Sequence, residues 1–203
     1  ERKQRSRAFK RMNGMLTPMS KYYASEMACW VAHTAIQVLG GSGYMRDYAA
    51  ERYLRDSRIT TIYEGTSQLQ VVAAVRGVTS GGFENYVAEL ERVEYEEPLL
   101  AELKQKLLDA KRRILEAVAF VKSRPTTYLD LSGRRLVDSA IIVIVGHLLL
   151  GQARASERKV RVARRFIEGQ LAVLRMNCEQ VLTGDASAME EYELLAGPVP
   201  SSD

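Results

Sequence analysis

The sequence predicts an all-α protein built in two helical parts, and three observations carry that expectation. Apolar residues recur three and four positions apart over long stretches, whereas β-branched residues never alternate with polar ones over a useful stretch. Only five prolines and fourteen glycines interrupt 203 residues, which leaves room for long helices. A composition of 46% hydrophobic and 27% charged residues is that of an ordinary globular chain able to bury a core.

Residues 1–14, "ERKQRSRAFKRMNG", open as if in mid-helix. With no initiator methionine and no signal peptide, the chain reads as a piece of something longer. Thr17 is expected to cap a helix with Pro18 in its first turn. Met27, Trp30, Val31, Thr34, Ala35 and Val38 keep helical spacing as far as Leu39, and Gly40-Gly41 should stop it. Asp47 is placed to cap a short helix over 48–55, "DSRITTIYEG" (56–65) reads as extended, and Thr66 caps a third helix through Val75. "VTSGG" (78–82) loosens the chain and marks the boundary between residues 1–78 and 83–196, with 79–82 as linker.

Beyond it, Leu100, Leu103, Leu107, Ala110, Ile114, Val118 and Val121 form the seam of an antiparallel bundle. "SRP" (123–125) ends that helix, and a second is expected over about 133–154. A third, over 156–182, carries Val160, Ala163, Ile167, Leu171, Leu174, Cys178 and Val181. Gly184-Asp185 breaks it, Ser187 with Glu190 suggests a capping box for a last short helix, and 197–203 reads as a disordered tail.

The net charge of +4 is mild, and the basic runs 1–11, 111–113 and 157–165 lie on helix-patterned stretches with no aromatics to stack on bases. They read as solvated helix faces, so no nucleic-acid partner is expected. Cys29 and Cys178 lie on apolar faces far apart in sequence, which suggests buried reduced thiols rather than a disulfide. His33 and His147 have no partner at ligand spacing, so no metal is expected. "AIIVIVGHLLLG" (140–151) reads as too short and interrupted to cross a bilayer, hence as a buried helix and no membrane partner.

Chemistry concentrates in residues 37–76. Gly40, Gly41 and Gly43 would let backbone approach a ligand, although a helix C-cap explains two of them. Arg55, Asp56 and Arg58 suit an ion-pair knot. Glu64 precedes a helix, where a carboxylate also favours the dipole. Spacing alone leaves open whether it folds the chain or takes a proton.

Three stretches in order, "QVLGGSGY" (37–44), "RDSRI" (55–59) and "IYEGTSQLQ" (62–70), followed by Arg76, resemble the acyl-CoA dehydrogenase family in its C-terminal helical domain. The resemblance covers about residues 15–77, and 16–37 is similar to the helix that leads into this motif. The second half resembles, more loosely, the extra helical bundle that larger members append.

The resemblance implies that Glu64 is the catalytic base: it removes the α-proton of an acyl-CoA while a β-hydride leaves for N5 of FAD, giving a trans-2-enoyl-CoA. An α-proton is a poor acid, so the thioester oxygen must be stabilised and the base strengthened by a dry pocket. In the family the backbone N–H of this glutamate and a flavin ribityl hydroxyl hold that oxygen. By the same resemblance Thr66 and Gln68 touch the FAD adenosine or pyrophosphate, and Gln37, Gly40 and Gly41 reach the FAD of a neighbouring subunit. Tyr63 lines the acyl pocket, Gly65 leaves space beside the base, and Arg76 lies near it.

Ser42 and Leu39 depart from the frequent aromatic and histidine at their positions. The family's N-terminal helical domain and flavin-covering β-domain are not in these residues, so a fragment that is inactive by itself is expected. The implied partners are acyl-CoA, an electron-transferring flavoprotein and further copies of the chain, in the bacterial cytoplasm or the mitochondrial matrix, in fatty acid metabolism. Alternatives are a non-catalytic relative that binds DNA, against which Glu64 speaks, and an oxidase that reduces oxygen directly.

Overall fold

The computed structural model describes residues 2–198, which form helices and turns without a strand among them. The chain divides into two compact units, Glu1–Tyr86 and Val87–Asp203. The expected tail falls in part outside the described residues.

The first unit is organised by α1 (Arg2–Leu39), against which α3 (Ala50–Arg58) and α4 (Ser67–Thr79) pack, with the short α2 (Gly41–Tyr44) between α1 and α3. Thr17 does not start a helix: α1 runs straight through Pro18. Proline removes one intrahelical bond and crowds the carbonyl four residues back, here that of Gly14. Met15 is fully buried and its side chain fills the space beside Gly77 of α4, where a Cβ would come within 2.5 Å of Met15 Cβ. Packing on both sides of Pro18 thus outweighs the lost bond.

Asp47 caps nothing; α3 begins three residues later, after Ala49. Nor is 56–65 extended, because the helix continues to Arg58 and into a 3₁₀ turn, Ile59–Thr61. Hydroxyls hold this β-branched run in helical form: Ser57 donates to Leu54 O, Thr60 to Ser57 O and Thr61 to Arg58 O at 2.6–3.0 Å. Arg55 pairs with Glu51 rather than within the expected knot. Thr66 caps α4 as expected, its Oγ1 accepting from the Leu69 N–H, and a helix the sequence did not announce, α5 (Gly82–Leu90), follows the turn at 80–81.

The second unit is a three-helix bundle of α6 (Pro98–Lys122), α7 (Thr126–Ala153) and α8 (Glu157–Leu182). Leu103, Leu107, Ile114, Leu136, Leu150, Ile167 and Leu174 are its fully buried centre. Helix α7 starts seven residues before the expected 133, because Ser132 and Gly133 are buried small residues within it rather than a boundary. It is long and apolar enough to span a bilayer, which corrects the reading by length, yet 67% of its most apolar window is buried in the bundle. Tyr128 ties its start to the end of α8 by donating to Val181 O at 2.7 Å. Two short helices follow, α9 (Ser187–Glu190) and α10 (Tyr192–Ala196). The capping box does not form; Asp185 Oδ1 accepts from the Ser187 N–H instead. Cys178 is buried, and burial pushes its thiol up to about 11, but Cys29 is only half-buried.

A polar cluster interrupts the bundle. Lys111 pairs with Glu91 and Lys104 with Glu94, both at 2.8 Å. His147 on α7 is 4% exposed, and its Nε2, like Glu91 Oε1, is buried without a hydrogen-bond partner among the described residues. Burial lowers the His147 pKa from 6.5 to about 4; Glu91 opposes the shift and Lys104 and Lys111 add to it. A histidine held neutral by the fold gives stability that is fully present above its unfolded pKa and is lost as pH falls toward the folded value. Between pH 6.5 and 4, His147 is expected to cost up to about 3 kcal/mol. Urea unfolding at several pH values should therefore show a steeper acid loss in the wild type than in His147→Leu. Equal slopes would mean that the imidazole reaches solvent.

Candidate functional site

The site is the turn between the 3₁₀ segment and α4. The Ile62 and Tyr63 N–H groups both donate to Ile59 O, closing the 3₁₀ segment. The chain then reverses through Glu64 at φ +54° and Gly65 at φ +92°. Among the described residues Glu64 is the one non-glycine residue with positive φ. Such a conformation costs on the order of 1–3 kcal/mol and persists only where its surroundings enforce it.

Those surroundings are visible. Lys21 Nζ donates to Gly65 O at 2.7 Å and lies 5.8 Å from the Tyr63 ring centroid. Gln70 Nε2 donates to Glu64 O at 2.9 Å. Ser67 donates to Glu26 Oε1, fixing the first residue of α4 to α1. Glycine is favoured at 65 by its φ, and a Cβ there would stand 2.8 Å from Gln70 Nε2, whose side chain would have to move from its bond to Glu64 O. These bonds engage the Glu64 and Gly65 carbonyls and leave the Glu64 N–H and carboxylate to other partners. The carboxylate is exposed, as are Tyr63, Thr66 and Gln68.

The turn thus gathers Tyr63, Glu64, Gly65, Thr66 and Gln68. Arg76 stands apart, in the last turn of α4, about 13 Å along the axis from Ser67. Gln37, Gly40 and Gly41 are a separate exposed group at the far end of α1, about 24 Å along the helix from Lys21. A Cβ at Gly40 or Gly41 would meet nothing within 4 Å, so this surface is open to an approaching group. Gly43 is different: its Cβ would lie 2.6 Å from Ile36 O, and the chain's own packing explains it. Sequence reasoning missed Lys21, Glu26 and Gln70 as the residues that hold the turn. Gln70 lies inside the quoted motif, but nothing in the spacing of Lys21 and Glu26 points across to residues 64–67.

The structure thus sets an exposed carboxylate on a strained, cross-braced turn of an all-helical unit. The chain belongs to the acyl-CoA dehydrogenase family. Residues 3–79 match the family model for the acyl-CoA dehydrogenase C-terminal domain, and residues 79–172 match a second model described as acyl-CoA dehydrogenase C terminal. The mitochondrial short-chain specific acyl-CoA dehydrogenase of Rattus norvegicus is 60% identical over 52 residues, 26% of this chain and 13% of that protein. The matched part is thus a small share of that relative's length. Among solved structures, an acyl-CoA dehydrogenase of Bacillus anthracis complexed with FAD shares the fold over 88% of this chain and 34% of its own, with a TM-score of 0.63 and 20% identity. An acyl-CoA dehydrogenase family protein of Porphyromonas gingivalis matches 54% of this chain and 95% of its own, with a TM-score of 0.50 and 26% identity.

Proposed function

We propose that this chain supplies the base-bearing wall of a FAD-dependent acyl-CoA dehydrogenase. The observation that carries the reading is Glu64 itself, held at φ +54° by its neighbours with its carboxylate unengaged. A residue that served only to fold the turn would be better as Gly or Asn, which enter this conformation at lower cost.

In this reading Glu64 takes the α-proton of the acyl-CoA thioester. The electron pair of the broken C–H bond becomes the new Cα=Cβ bond. The Glu64 N–H, which the turn's bonds leave aside, donates to the thioester oxygen as charge builds there. FAD, when bound, supplies the acceptor for the β-hydride. Thr66 and Gln68 fit its pyrophosphate: they open a 13-residue helix whose first turn carries no acidic residue, and such an N-terminus favours an anion. Gln37, Gly40 and Gly41 fit contact with the FAD of a second copy, since their surface is open. Trp30, Val31, Val38, Tyr44 and Tyr53 are exposed apolar residues of the first unit, and a homo-oligomer would cover such a surface. Electron-transferring flavoprotein would receive the electrons.

The test is anaerobic mixing of the intact flavin-loaded protein with acyl-CoAs of graded chain length, followed by flavin bleaching. One chain-length range should bleach the flavin, and failure with every length would refute the reading. Oxygen consumption without an electron-transferring flavoprotein would make the protein an oxidase. Residues 1–203 alone are expected to hold FAD poorly, because the residues assigned to it are exposed rather than enclosed, and a flavin needs burial on several sides. Equilibrium dialysis against FAD measures this, and an equimolar yellow complex would contradict it.

A further inference from the structure

The N-terminal half of α8 presents an open, shallow face, the α8 groove, with Val162, Phe166 and Gly169 at its centre and Arg158, Arg161 and Arg165 around it. Gly169 leaves the centre open, since nothing lies within 4 Å of where its Cβ would stand. Arg161 is paired with Glu157, whereas Arg158 and Arg165 have no ion-pair partner among the described residues. The surface is apolar at its centre and cationic at its rim.

The opposite chemistry stands at the chain's other end. Residues 185–196 carry Asp185, Glu190, Glu191 and Glu193 and no lysine or arginine. Helices α9 and α10 bury none of their residues, and Met189, Tyr192, Leu194 and Leu195 are 37–86% exposed. Short helices with an unburied apolar side are not stable by themselves in water.

As folded in the structure, the segment does not reach the groove of its own chain. Gly184 is held beside Arg124 and Phe120, and Ala188 lines a cleft with Tyr128, Leu131 and Gln180, at the C-terminal end of α8. From there Val162 lies about 30 Å back along the helix, while residues 189–196 span about 12 Å as helix.

We propose that residues 185–196 of one copy dock in the α8 groove of a second copy. Tyr192 and the leucines cover Val162 and Phe166, and the glutamates face Arg158 and Arg165. Exchanged reciprocally, the two contacts close a two-fold dimer. This contact is independent of the first unit and of any catalytic role.

The test uses two charge-reversed forms of the full chain, Arg158→Glu/Arg165→Glu and Glu190→Lys/Glu193→Lys, followed by sedimentation velocity at low ionic strength. All four positions are exposed, so both forms should keep the wild-type circular dichroism. The wild type should associate, and more weakly as salt is added. Each reversed form alone should associate about tenfold more weakly or worse, because like charges then face each other. Mixed together they should regain association, since both contacts are again complementary. A wild type whose association does not weaken with salt, single forms that keep the wild type's strength and salt dependence, or a mixture no stronger than the single forms would each overturn the proposal.

Discussion

Glu64→Gln in the intact, flavin-loaded protein is expected to retain FAD and acyl-CoA binding while flavin reduction slows by about three orders of magnitude, within the range lost with a general base. Glutamine keeps the size and the left-handed backbone demand of residue 64, so Gln70 and Lys21 still brace the turn. Only the proton acceptor is gone. The loss should fall on the rate of bleaching at saturating substrate rather than on the substrate concentration required. Glu64→Gly separates chemistry from folding. It relieves backbone strain at φ +54°, and the added freedom of the unfolded chain offsets a similar amount, about 1 kcal/mol. Its melting temperature should therefore stay near that of the parent although turnover is lost. Near-normal bleaching in Glu64→Gln would move the base to another residue.

The first unit shows why a site can be legible when its support is not. "IYEGTSQLQ" stands out through its likeness to a family motif and its threonine cap, which the structure keeps. Its own spacing reads 56–65 as extended, and the positive φ at Glu64 and Gly65 that turns the chain is seen only in the structure. Lys21, Glu26 and the Met15 contact with Gly77 act across dozens of residues, and no periodicity encodes a cross-chain bond. Local rules also erred where packing or hydroxyl bonding overrode them. Pro18 reads as a helix start, but buried Met15 and Met19 on either side carry the helix through it. Ile59-Thr60-Thr61 reads as extended until three hydroxyls bond back onto the preceding turn. In the second unit the heptad-like seams of α6 and α8 were read correctly because each is a one-sided stripe. The more uniformly apolar α7 has no such stripe, and its start was misplaced at a buried glycine.

That central helix sets up the largest stability effect expected here. Leu107 on α6 is fully buried and meets α7 at Gly146, where a Cβ would stand 2.7 Å from Leu107 Cδ2 and 3.4 Å from Ile167 Cγ1 of α8. The missing side chain of Gly146 is what lets three helices close at this level. Leu107→Ala should leave a cavity there and cost about 2–5 kcal/mol. Gly146→Ala in the parent gains about 1 kcal/mol of helix propensity but overpacks the fixed Leu107, at about 1–3 kcal/mol. In the Leu107→Ala background the same methyl enters vacated space, so the penalty disappears and the propensity gain remains. The double variant should thus be more stable than Leu107→Ala alone, although Gly146→Ala by itself does not stabilise the parent. Urea unfolding followed by far-UV circular dichroism measures all four forms; the one tryptophan, Trp30, lies in the first unit and does not report on this contact directly. A Gly146→Ala effect that is the same in both backgrounds would mean that the two side chains do not compete for the same volume.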